Sequence, residues 1–200
     1  LDGEFAFGLP LLEAANLRKG QVLSDDEITA LRAVDEVARA LDHAVRLLAR
    51  RPYSTAEIRR NLTSKQIAAP VVDEVIARLE RLEYVDDQAF ADYWVENRER
   101  FRPRGPRALR YELRQKGIPD RIIEAVVQEV DAEDAAYRAA RTRISRYQHT
   151  TRQDFRTKLG AFLVRRGFAY DVVRDVIDTL INELENEEPE FFAPDYTSEE

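Results

Sequence analysis

The chain has 200 residues, 44% hydrophobic and 34% charged, with a net charge of −7 and neither cysteine nor methionine. That balance describes a folded chain with a heavily charged surface, and it excludes disulfides, thiolate catalysis and cysteine–zinc sites. No apolar run approaches the roughly 18 residues of a membrane span, and the start shows no charged-then-apolar leader, so a cytoplasmic protein is expected.

The first stretch, "LDGEFAFGLP", reads as the end of a β-hairpin. Asp2-Gly3 is a favoured two-residue turn, and Glu4-Phe5-Ala6-Phe7 alternates like a short strand. Its partner would precede Leu1, and the absence of methionine also places the natural start upstream. "LLEAANLRKG" predicts a short helix stopped at Gly20. Ser24 with Glu27 three residues on then forms a capping-box signal. The helix it opens is expected to run, with room for a break, to Arg51-Pro52.

From there every element reads as helix, and the apolar positions repeat. With Ile67, Ile118 and Phe168 as anchors, spaced 51 and 50 residues apart, the residues nine before are Ile58, Leu109 and Leu159. Those five before are Leu62, Leu113 and Leu163. Four and five after lie Val71-Val72, Ile122-Ile123 and Val172-Val173. Eight and nine after lie Val75-Ile76, Val126-Val127 and Val176-Ile177, and twelve after lie Leu79, Val130 and Leu180. These positions form one face at 3.6 residues per turn, and such self-similarity marks a repeat architecture. Ser54 with Glu57 and Thr151 with Asp154 open the second helix of their units, and Gly105-Pro106 does so in the middle one.

The fold class is therefore all-α: three tandem three-helix repeats in an elongated, curved body, behind the hairpin and helix segment. The expected domains are 1–38, the hairpin remnant and helix; 39–88, 89–131 and 132–182, the three repeats; and 183–200, an acidic tail. The tail is expected to be disordered with Phe191 and Phe192 incidental. The sharper alternative is that it mimics DNA and covers the protein's own basic face.

Charge divides these parts. Residues 1–97 hold 12 basic and 18 acidic groups, residues 98–174 hold 19 and 10, and residues 175–200 hold 10 acids and no base. The densest run is "FRPRGPRALRYELRQKGI" at 101–118. On a helix over 106–116, Arg107, Arg110 and Arg114 form a stripe apart from Leu109 and Leu113, with little acidic pairing expected. Arg98, Arg100, Arg102, Arg104 and Lys116 extend it. A second run holds Arg138, Arg141, Arg143, Arg146, Arg152, Arg156, Lys158, Arg165 and Arg166. Guanidinium groups fork phosphate oxygens, so two basic runs on consecutive repeats suit a long polyanion. The candidate DNA- or filament-binding residues are Arg98, Arg102, Arg104, Arg107, Arg110, Arg114, Lys116, Arg141, Arg152, Arg156, Lys158, Arg165 and Arg166. The bland alternative is a solvated helix face. Tyr93, Trp94, Phe101, Tyr111 and Tyr147 are candidates for base stacking, although aromatics at helical spacing are more often core.

Catalysis has little to stand on. His43 and His149 lie far apart and no phosphate loop occurs, so no metal, cofactor or enzymatic activity is expected. Asp86-Asp87 fits helix capping better than metal binding.

Three stretches, "LEYVDDQAFADYWVENR", "GPRALRYELRQKGI" and more loosely "FRTKLGAFLVRRGFAYDVV", resemble the signature segments of RecX proteins, bacterial regulators of the RecA recombinase. The resemblance spans about 1–182, and the acidic tail departs from it. It implies a negative regulator that lies in the groove of the RecA–single-stranded DNA filament and inhibits ATP hydrolysis, strand exchange and coprotease activity, within DNA repair and the SOS response. The expected partners are RecA, its filament, and single- and double-stranded DNA with weak sequence preference; the protein is expected to be a monomer. The alternative is a sequence-specific helical DNA-binding regulator.

Overall fold

Ser24 and Glu27 close a capping box: the Glu27 backbone N–H donates to Ser24 Oγ, and the Ser24 N–H donates to the Glu27 carboxylate at 2.7 Å. Behind that cap the chain runs as one unbroken helix. The structure, a computed structural model, describes residues 4–194 apart from the side chain of Leu12. Its ten α-helices among the described residues are α1 (Leu11–Ala15), α2 (Asp25–Leu48), α3 (Thr55–Ser64), α4 (Ala69–Arg81), α5 (Asp87–Phe101), α6 (Pro106–Lys116), α7 (Asp120–Gln128), α8 (Ala132–Arg141), α9 (Arg152–Arg165) and α10 (Tyr170–Glu187). A 3-10 turn, Ile144–Tyr147, links α8 to α9. The fold is all-α. The chain forms two units, Leu1–Phe90 and Ala91–Glu200.

The strand expected over Glu4–Phe7 does not form, and there is no strand among the described residues. A strand needs a ladder partner, and none of the described residues lies beside this segment as one; Phe5 stays exposed, while the Arg32 guanidinium lies over the Phe7 ring. The Asp2-Gly3 turn falls outside the described residues. The next helix also ends early. It stops at Asn16, where the Asn16 and Leu17 N–H groups close onto the carbonyls three residues back, and Gly20 at φ 84° turns the loop that follows.

In the first unit α2, α3 and α4 enclose a core of Ala40, Ala44, Ile58, Leu62, Val72, Val75, Ile76 and Leu79. The second unit carries the other two repeats. Leu109, Leu113, Ile118, Ile123 and Val127 are buried on α6, α7 and their connecting turn. In the third repeat, α8 turns Ala135, Ala136, Ala139 and Ala140 inward, all fully buried, against the cluster built on Phe155, Leu159, Leu163, Phe168, Val173, Ile177 and Leu180. Four small residues let α8 sit close to α9 and α10.

The repeat is visible in the backbone as well as in the core. Each second helix ends in the same turn, in which the anchor N–H reaches back five residues: Ile67 to Leu62, Ile118 to Leu113 and Phe168 to Leu163 carbonyls, at 3.4, 3.1 and 3.3 Å. The residue before each anchor is left-handed, Gln66 at φ 62°, Gly117 at 78° and Gly167 at 89°. This is the helix-ending geometry that glycine favours.

The acidic end is a correction. Helix α10 continues to Glu187 with Leu184 buried, and the chain then folds back over the third repeat. Phe191 is only 3% exposed, and both Phe191 and Phe192 meet the Phe155 ring edge-on, at 6.3 and 5.3 Å between centroids. The His149 N–H donates to the Phe191 carbonyl and the Ala193 N–H to that of Thr150. Acid counting along the sequence missed this because the two rings that anchor the segment lie among charges. Residues 195–200 fall outside the described residues.

Candidate nucleic-acid interface

The Asp86-Asp87 pair serves the backbone. Asp86 Oδ1 accepts the N–H groups of Gln88 and Ala89, capping α5. Asp87 Oδ1 accepts the Thr55 N–H at 2.9 Å, at the start of α3. Among the described residues no cluster of three or more His, Cys, Asp or Glu could hold a metal, and no helix is long and apolar enough to cross a membrane. His43 Nε2 is 2.8 Å from Asn61 Oδ1, a helix-to-helix bond.

The basic stripe on α6 is more paired than its sequence suggests. Arg110 grips Glu124 on α7, with Nε 2.9 and 3.0 Å from its two oxygens and Nη2 at 2.9 Å. Arg110, with Arg114 beside it, in turn holds the Glu124 carboxyl below the usual range. Arg114 Nε donates to Asp120 at 2.8 Å. Glu112, the one acid within the run, takes Arg98 Nε at 2.7 Å and Trp94 Nε1 at 2.9 Å. The expectation of little acidic pairing therefore fails for Arg110 and Arg114, and Arg98, which extends the stripe, is paired too. Each carboxylate sits on the helix that faces its arginine, Asp120 at the first residue of α7, which a tally along one helix face does not reach. Arg107 stays exposed without a carboxylate partner among the described residues, and so does Arg102. Lys116 lies over the Trp94 ring, 4.7 Å from its centroid.

The second run divides in the same way. Arg152 pairs with Glu185, Arg156 with Asp178 and Lys158 with Asp154. Arg141 and Arg165 are exposed and have no carboxylate partner among the described residues. Of the aromatic candidates, Tyr93, Phe101 and Tyr111 are exposed. Tyr147 packs against Phe155 in the third core, and the Trp94 ring carries both Arg98 and Lys116.

The sharpest local feature joins the second and third repeats inside the second unit. The Gly105 N–H donates to the Arg166 carbonyl at 2.9 Å, and the Arg107 N–H to that of Gly167 at 3.2 Å. Arg166 Nη1 donates to the Pro103 carbonyl at 2.9 Å. A Cβ at Gly105 would stand 2.3 Å from Gly167 O, and one at Gly167 would stand 2.4 Å from the Ala108 nitrogen. Two glycines thus let backbone meet backbone. Their meeting brings the loop carrying Arg102 and Arg104 onto the end of α9. Reading Gly105-Pro106 as a helix start alone missed it; the signal available was a glycine where the first repeat has Ser54.

Models of the three RecX domains match in order: the first three-helix domain at residues 40–79, the second at 86–127 and the third at 130–177. The regulatory protein RecX of Bacillus subtilis (strain 168) is 31% identical over 94% of this chain and 72% of its own length. The chain belongs to the RecX family. The RecX of Chlorobium phaeobacteroides (strain BS1) is 35% identical over 71% of this chain and 93% of its own. A crystal structure of regulatory protein RecX superposes with a TM-score of 0.75 at 24% identity, covering 89% of this chain and 92% of that one. The RecX of Lactobacillus salivarius superposes at 0.67 and 23% identity, covering 74% and 98%. At such identity the two structures speak for the fold. The three RecX domains fall on the three repeats found from the apolar spacing. The relatives are named as regulatory proteins, not by any reaction.

Proposed function

We propose that this RecX-family chain is a negative regulator of RecA. It binds RecA and the RecA–single-stranded DNA filament in the filament's helical groove and restrains ATP hydrolysis, strand exchange and coprotease activity. The observation that carries the reading is a set of exposed arginines without carboxylate partners on two consecutive repeats, Arg102 and Arg107 on one and Arg141 and Arg165 on the next. Cations kept apart from acids in a chain of net charge −7 suit a phosphate backbone held by counterion release. The paired arginines contribute less. A surface ion pair is worth about 0–1 kcal/mol, so Arg110 and Arg114 can still face phosphate, but each must leave an acid to do so.

The test is RecA-driven ATP hydrolysis on single-stranded DNA. Substoichiometric amounts of this protein slow it, and an unchanged rate overturns the reading. The double variant R107E/R165E slows it less, and its filament binding depends less steeply on salt, by about 0.7 in log–log slope for each phosphate no longer neutralised.

A further inference from the structure

The glycine-to-glycine approach between the second and third repeats crowds like charges. Arg166, at the end of α9, is half-buried and bonded to the Pro103 carbonyl. Burial first, and then the neighbouring guanidiniums of Arg104, Arg143 and Arg102, push its pKa down. Arg143 and Arg166 both lie over the Phe162 ring, 5.0 and 4.7 Å from its centroid. The acid beside Arg104 is Glu112, already held by Arg98 and Trp94. Arg104 Nε is 3.5 Å from Glu112 Oε1, close enough for an ion pair but not a hydrogen bond, and this buried nitrogen has no acceptor. Buried donors are nearly always satisfied, and an orphan calls for an explanation.

We propose that Arg102, Arg104, Arg143 and Arg166 form a subsite for one phosphodiester group of a nucleic-acid backbone. The subsite deepens the filament-binding role and rests on its nucleic-acid half alone. Three separate segments deliver the four cations: the loop before α6, the turn after α8 and the end of α9. A carboxylate offers two coplanar oxygens, which one guanidinium fork can serve. A phosphodiester is tetrahedral and accepts donors from several directions, which is what convergent arginines supply. The rings beside the cluster do not read bases. Phe162 carries two guanidiniums and Trp94 carries Arg98 and Lys116, so the site holds backbone and is indifferent to sequence. The cluster is electrostatically unfavourable when empty, as binding sites that trade stability for function are.

That trade gives the test its signature. Binding of a labelled 20-nucleotide oligothymidine is followed by fluorescence anisotropy without recombinase, for the full chain and for R102Q and R143Q. Each variant binds about 5-fold or more weakly at low salt, and its log–log salt slope falls by about 0.7. A mixed-sequence oligonucleotide loses the same factor. Thermal melting of each variant is unchanged or higher, because a like charge has been removed. Unchanged affinity and slope in both variants overturn the subsite. So does affinity lost together with a lowered melting temperature in both, which makes these arginines structural. Polyglutamate competing as well as an oligonucleotide of equal charge overturns it in favour of an acidic peptide. With no recombinase present, a failure of the RecA reading leaves this result standing.

Discussion

Gln66 holds a left-handed backbone conformation that its counterparts in the other two repeats give to Gly117 and Gly167. For an L-residue that conformation costs roughly 1–2 kcal/mol, partly returned because glycine loses more chain entropy on folding. Gln66 is exposed. Q66G is therefore expected to stabilise the first repeat by about 0.5–1 kcal/mol in urea denaturation. G167A moves the other way. Its backbone is at φ 89° and the added Cβ would fall 2.4 Å from backbone nitrogen, so a loss of about 2 kcal/mol or more is expected. Equal stabilities across the three proteins would mean the turn bears no strain. At this scale the sequence was half legible. Glycine announces a helix end by itself, whereas nothing in "SKQIAAP" marks Gln66 as the residue forced into glycine's place by the shared turn.

Helix pairs repeat an ion pair as well as an apolar stripe. Arg59 pairs with Asp73 between α3 and α4, and Arg110 with Glu124 between α6 and α7, each fourteen residues apart and at matching places from the anchor. In the third repeat the same places hold Gly160 and Arg174. Both line an open groove of 410 Å³ along α9 and α10. The apolar stripe was legible because burial imposes a period on it. The ion pairs were not, because acids along the arginines' own helix say nothing of acids on the helix packed against it. The Arg110 pair has a pH signature. Arg110 donates two nitrogens to Glu124 and depresses its pKa. A depressed folded pKa means the contribution is complete above the ordinary glutamate range and is lost as pH falls through the folded value. NMR titration is expected to place the Glu124 carboxyl below the exposed glutamates, and R110Q to return it among them. A Glu124 that titrates with the others in the unsubstituted protein removes the pair from solution.

Across the molecule, acid is not spare charge waiting at one end. The last acidic stretch divides in two, and its first part is structural: Glu183 accepts the Tyr137 hydroxyl, Glu185 pairs with Arg152, Leu184 is buried, and Phe191 closes over Phe155. Net charge by segment located the basic middle, but it could not separate carboxylates on a packed helix from carboxylates beyond it. A role for the tail in screening DNA must therefore be sought where the fold stays intact. Cutting after residue 183 removes two buried side chains as well as charge, and each large core truncation costs about 2–5 kcal/mol. Cutting after residue 194 removes only Asp195, Glu199 and Glu200 of the acids and keeps both phenylalanines. The chain ending at 194 is expected to melt with the full chain in urea, and the chain ending at 183 several kcal/mol earlier, with F191A in between. Matching midpoints for the full chain and the chain ending at 183 would place Phe191 and Leu184 outside the core in solution. Any gain in DNA affinity at low salt belongs to the chain ending at 194, where the fold is held constant and attraction between the basic face and the removed acids is least screened.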